Sequence, residues 1–202
     1  LRRSDWVEAQ RYALWRLEDA TRLVEQDPDN WKFLNNAAQA HILANAVAER
    51  LAPQEVEGHE RELLRLARRL YELQPRRANF QFLWAMANYD QARDAWQCGR
   101  FQEALSYSEA AVGLALQLLA SDPRSFAYTD FLRLTGSGLF GQQLEQGLSG
   151  QAEATLVRFR VGASMVGEDS PNALLLLATA DHNAIALQRS PESRAAATEQ
   201  AL

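Results

Sequence analysis

The chain has 202 residues, 47% of them apolar and 23% charged, with a formal net charge of −5, enough length and apolar content for one or two compact domains with a sizeable core. The negative balance argues against a non-specific nucleic-acid binder, whose affinity comes from neutralising phosphates. A single cysteine, Cys98, excludes an internal disulfide or a cysteine zinc site, and no apolar run reaches about 18 residues, so no membrane insertion is expected.

The first predicted element is a leading helix over residues 4–26, with Trp6, Ala9, Ala13, Leu17, Ala20 and Val24 on one face. After it, four prolines stand nearly in step at Pro28, Pro75, Pro123 and Pro171, spaced by 47, 48 and 48 residues. Asp27-Pro28, Asp122-Pro123 and Ser170-Pro171 each set a short acceptor before a proline. That pair suits the N-cap and first position of a helix: the acceptor bonds a free amide, and proline has none to leave unpaired. Gln74-Pro75 departs from this pattern.

The prolines divide the rest of the chain into units of about 28–74, 75–122, 123–170 and a truncated 171–202. Each unit reads as a helix A of about 20 residues, a short break and a helix B. Gly99 and Gly147 stand 24 residues after their prolines, where a left-handed residue would stop helix A; Ala52 and Ala195 hold that place in the other units. Phe101, Ala104, Leu105, Ser108, Ala111, Val112, Ala115 and Leu119 give the second unit's helix B one apolar stripe. The A helices are apolar on more than one side, as suits a helix held between neighbours. No alternating β-branched run predicts a strand.

The segment WQCGRFQEALSYSEAAVGLAL, Trp96 to Leu116, resembles the second half of a tetratricopeptide repeat. Gly99, Phe101, Ala104, Ser108 and Ala111 fall where that family places its turn glycine, aromatic and small packing residues. The resemblance implies an all-α, antiparallel helix-pair solenoid with eight or nine helices in a single helical-repeat domain over 1–202. Its unit is longer than the usual 34 residues. The resemblance further implies a non-enzymatic protein-interaction or scaffolding module of a bacterial signalling protein of the kinase, caspase-like or transcription-regulator type. Opening at Leu1 without a methionine and ending inside an apparent helix, the chain is expected to be an excised region of such a larger protein.

In that family the A helices line a concave groove. The groove candidates are then Asn35, Asn36 and Gln39; Asn88, Tyr89, Arg93 and Trp96; Asp130 and Arg133; and Asp181. A protein or peptide partner, or another domain of the same protein, is expected there. The alternative is a sensor domain that binds a peptide or small ligand in the groove. The cytoplasm is the expected compartment, with an extracytoplasmic domain of an anchored protein as the alternative.

Other candidates carry less. TGSGLFG, Thr135 to Gly141, spells G-x-G-x-x-G, but a phosphate loop needs a strand before it and a helix opening after it. The repeat register puts it inside a helix, so helical packing of the glycines is expected. His41, His59 and His182 have no metal-ligand spacing. On helical spacing His41 and Asn45 are expected to satisfy each other or a backbone carbonyl, and Glu55 and His59 to do the same. Cys98 is expected as an inert packed thiol, and no serine has the nucleophile elbow. Neither a cofactor nor a metal is expected, and no catalytic constellation is found. Arg61, Arg65, Arg68 and Arg69 share one face as a basic strip, interrupted by Glu60, Glu62 and Glu72. It reads as a solvated face with local ion pairs, a docking strip for an acidic partner being the alternative. Twenty arginines against the single Lys32 read as coding bias.

Overall fold

A computed structural model describes residues 3–167 and 169–188. These residues are all-α, with no strand among them: α1 (Arg3–Gln26), α2 (Trp31–Leu51), α3 (Val56–Leu73), α4 (Ala78–Gln97), α5 (Phe101–Ser121), α6 (Phe126–Glu145), α7 (Ser149–Val166) and α8 (Pro171–Gln188). Ala195 and any helix after α8 lie outside the described residues. No described helix is long and apolar enough to cross a membrane.

The same four-residue turn precedes α2, α4, α6 and α8. In each, the backbone N–H of the fourth residue donates to the carbonyl of the first: Asn30 to Asp27, Arg77 to Gln74, Ser125 to Asp122 and Ser170 to Gly167. Pro28, Pro75 and Pro123 hold the second position, where a fixed φ near −65° fits a tight turn. This corrects the expected helix starts. Asp27-Pro28 and Asp122-Pro123 are consumed by the turn, so α2 and α6 begin three residues later, capped by other side chains. Asn30 accepts from the Lys32 N–H at 3.1 Å, and Ser125 from the Tyr128 N–H at 3.4 Å. Only Ser170-Pro171 caps as expected: Pro171 is the first residue of α8, and Ser170 Oγ accepts from the Ala173 N–H at 3.1 Å.

Gly99 (φ 74°) and Gly147 (φ 70°) are left-handed, as the helix-stop reading requires. After α4, the Arg100 N–H reaches the Ala95 carbonyl and the Gly99 N–H that of Trp96; after α6, Leu148 reaches Gln143 and Gly147 reaches Leu144. These paired bonds satisfy carbonyls that a helix end otherwise leaves open. No glycine ends α2. There Pro53 forbids continuation, and a 3-10 turn, Pro53–Glu55, leads into α3.

The chain divides into two compact units, Leu1–Gln91 and Ala92–Leu202, with the division inside α4. In the first, α1 packs on α2 and α2 on α3. Its core joins Ala20 of α1, Leu34, Ala37, Ala38 and Ala40 of α2, Leu63, Leu66, Ala67 and Leu70 of α3, and Phe80, Leu83 and Ala87 of α4. Trp31 and Phe80 meet with ring centroids 5.9 Å apart, and the Arg77 guanidinium lies 4.0 Å from the Trp31 centroid. The Arg77 charge is thereby held over the faces of both rings.

In the second unit, α5, α6, α7 and α8 pack on their chain neighbours, and α5 on α7 and α6 on α8 as well. The approach of α6 and α7 is set by glycines. A β-carbon on Gly136 would stand 2.7 Å from the ring tip of Phe159, and one on Gly162 would stand 2.6 Å from a Leu132 methyl. Phe159 is 1% exposed, so its ring has nowhere to retreat.

Candidate functional site

The G-x-G-x-x-G stretch lies within α6, well past its N-terminus at Phe126. Its amides are engaged in the helical ladder, so none converges on an anion. Of the three glycines, Gly136 is buried against Phe159, Gly138 is exposed, and Gly141 has open space where a β-carbon would stand. The stretch is helical, and of its glycines Gly136 serves close packing.

Groove candidates of the first unit fall into two kinds. Gln39 is exposed, and Asn35 and Asn36 are half-buried; Asn36 accepts from Arg16 of α1 at 2.7 Å. Asn88 is only 2% exposed and donates to the Trp84 carbonyl at 2.7 Å, leaving little of it for a ligand. Tyr89 is half-buried. In the second unit, Arg93 and Asp181 are exposed, while Asp130 and Arg133 are half-buried and pair with each other at 2.8 Å. Trp96 is half-buried and meets Phe101 edge-on at 4.8 Å, bracing the glycine turn between α4 and α5.

The basic strip is matched by acids throughout. Arg61 pairs with Glu57 at 2.6 Å, Arg65 Nε with Glu62 at 2.9 Å, and Arg68 with Glu72 at 2.9 Å. Arg69 reaches Asp29 at 2.6 Å and so ties α3 to the turn before α2. These pairs are exposed, and water and salt weaken them. Cys98 is exposed, not packed, because it falls in the turn after α4 where no neighbouring helix covers it.

Two constellations were not foreseen from spacing. The first is a polar chain across α5, α6 and α7. Thr155 donates to the Gln143 side-chain carbonyl at 2.8 Å, and Gln143 donates to Glu109 at 3.2 Å. Arg158 completes the chain with an ion pair to Glu109, and Ser108 donates to Gln142 at 2.7 Å beside it. Gln143 is 1% exposed, so these partners satisfy an amide that burial would otherwise penalise.

The second is a histidine pair. His41 of α2 and His59 of α3 meet through their Nδ1 atoms at 3.3 Å, with ring centroids 5.4 Å apart. His41 does not take the expected Asn45, whose Oδ1 is left buried without a hydrogen bond, while the expected Glu55 acts on His59 through its charge. Burial, followed by the charge of His59 and that of Arg65, holds the His41 pKa below the ordinary histidine value, against an upward pull from Glu62. Burial likewise lowers His59, against an upward pull from Glu55. Among the described residues, no group of three or more His, Cys, Asp or Glu side chains is placed to hold a metal ion.

Compared with known proteins, the chain matches no family model and no curated relative.

Proposed function

We propose that the helix pairs stack as a tetratricopeptide-like solenoid, and that the chain is a non-enzymatic protein-interaction or scaffolding module of a larger signalling protein. One observation carries the reading: the same turn-and-helix start recurs at Trp31, Ala78, Phe126 and Pro171, a stride of 47, 48 and 45 residues. Repeated helix pairs that bury their faces on neighbours provide an extended surface without a central pocket. The exposed or half-buried polar residues of the A helices are the contact positions of this reading: Asn35 and Gln39 on α2, Arg93 on α4, Asp130 and Arg133 on α6, and Asp181 on α8. The partner is a peptide or a protein segment, recognised through amide, carboxylate and guanidinium groups held on rigid helices.

Peptide display on the immobilised chain, followed by fluorescence anisotropy with synthetic hits, tests this. Hits are expected to weaken at least about tenfold, or 1.4 kcal/mol, when at least one of Gln39→Arg, Arg93→Glu and Asp181→Arg is introduced without a change in melting temperature. Hits indifferent to all three substitutions, or none from a diverse library, would overturn the reading.

A further inference from the structure

We propose that the His41–His59 contact is a proton-operated latch between α2 and α3, closed while one Nδ1 lone pair remains free and opened when both imidazoles are charged. At 3.3 Å the two Nδ1 atoms share one hydrogen, and one ring donates while the other accepts. The neutral pair takes up one proton from solvent and keeps this bond, because the remaining neutral ring still accepts. A second proton removes the only acceptor. Two N–H groups then face each other, and two positive rings sit with centroids 5.4 Å apart. The step that opens the latch is therefore the second proton, and its midpoint belongs to the pair, not to either residue.

The groups around the pair do not cancel this effect. From α3, Glu62 favours the charged form of His41 and Arg65 opposes it; from the 3-10 turn, Glu55 favours the charged form of His59. Glu60, next to His59 in the chain, is buried at 5% exposure. From α1, the neutral Gln10, Ala13 and Leu14 line the same small cavity as His59, while Arg16 is engaged by Asn36. From α4, the shared core receives the apolar Phe80, Leu83 and Ala87.

The sign follows from linkage. Both histidines have folded-state pKa values held below their ordinary value of about 6.5. Above that pH neither state binds the protons and the pair imposes no penalty. As pH falls below about 6.5 the unfolded or opened state takes them up first, so the helix pair loses stability progressively. Each unit by which the second protonation is held down is worth about tenfold in the opening equilibrium.

Amide hydrogen exchange of the full chain at about pH 7.5 and about pH 5, corrected for intrinsic rates, reads this directly. The expected result is a loss of protection in α2 and α3 of about tenfold per unit of depression, with α5, α6 and α7 unchanged. His59→Gln and His41→Gln, each checked for native helicity at the higher pH, should abolish the acid loss. An NMR titration of the two imidazoles in the unaltered protein needs no variant: it should show coupled steps with the second below the ordinary range. Acid-indifferent protection of α2 and α3, acid loss that persists in both glutamine variants, or two independent ordinary titrations would each overturn the latch.

Discussion

At Gly136 the absence of a β-carbon lets Phe159 of α7 lie against the backbone of α6. The ring is buried and stiff, so Gly136→Ala must displace it or part the helices. Overpacking of this kind costs about 1–3 kcal/mol, which outweighs alanine's advantage in helix propensity of about 1 kcal/mol. At Gly141 a β-carbon meets open space, and its backbone is helical. Gly141→Ala should therefore stabilise by about 0.5–1 kcal/mol. Urea unfolding of the two variants should give shifts of opposite sign; if both stabilise, the close approach at Phe159 is not what keeps glycine at 136. The helical state of this stretch was legible from its register in the chain, and the expected packing holds at Gly136 but not at Gly138 or Gly141. Which glycine does the packing was not legible, because the answer lies on α7. His41 was misread for the same reason. Spacing offered Asn45 for His41 and Glu55 for His59; Glu55 does act on His59, but the ring contact crosses from α2 to α3.

Helices in this chain are delimited by local chemistry, and that scale was the most legible. The glycines at 99 and 147 announce helix ends, and both adopt positive φ. An alanine there is forced into the left-handed region at about 1–2 kcal/mol. Gly99→Ala and Gly147→Ala should each lower stability by about that amount in denaturant unfolding. Gly58→Ala, within α3 and with open space for a methyl, should raise it. A neutral Gly147→Ala would mean that α6 can end by another route. The prolines were legible as punctuation but not as to which punctuation. Pro at the second position of a turn and Pro at the first position of a helix both need φ near −65°. The difference is whether the preceding residue's carbonyl closes a turn three residues on, as Asp27 and Asp122 do, and Pro171 shows that both uses occur in one chain.

For the molecule as a whole, the balance of charge matters more than the count of arginines. Twenty arginines would suit an acidic partner or a nucleic acid, yet the net charge is −5 and each arginine of the α3 strip is already bonded to a carboxylate. A phosphate arriving at this face must displace Glu57, Glu62, Glu72 or Asp29 while the surrounding field repels it. Each phosphate neutralised contributes a slope of about −0.9 in log K against log salt, so any real binding would be strongest in dilute buffer. Anisotropy of a labelled DNA duplex at about 50 mM salt should therefore show no binding by the unaltered chain. Replacing the three glutamates together, as Glu57→Gln, Glu62→Gln and Glu72→Gln, should unmask Arg61, Arg65 and Arg68 and produce weak, steeply salt-dependent binding. Binding by the unaltered chain that vanishes in Arg65→Glu would show instead that the strip acts despite its partners, because exposed ion pairs exchange readily with other anions.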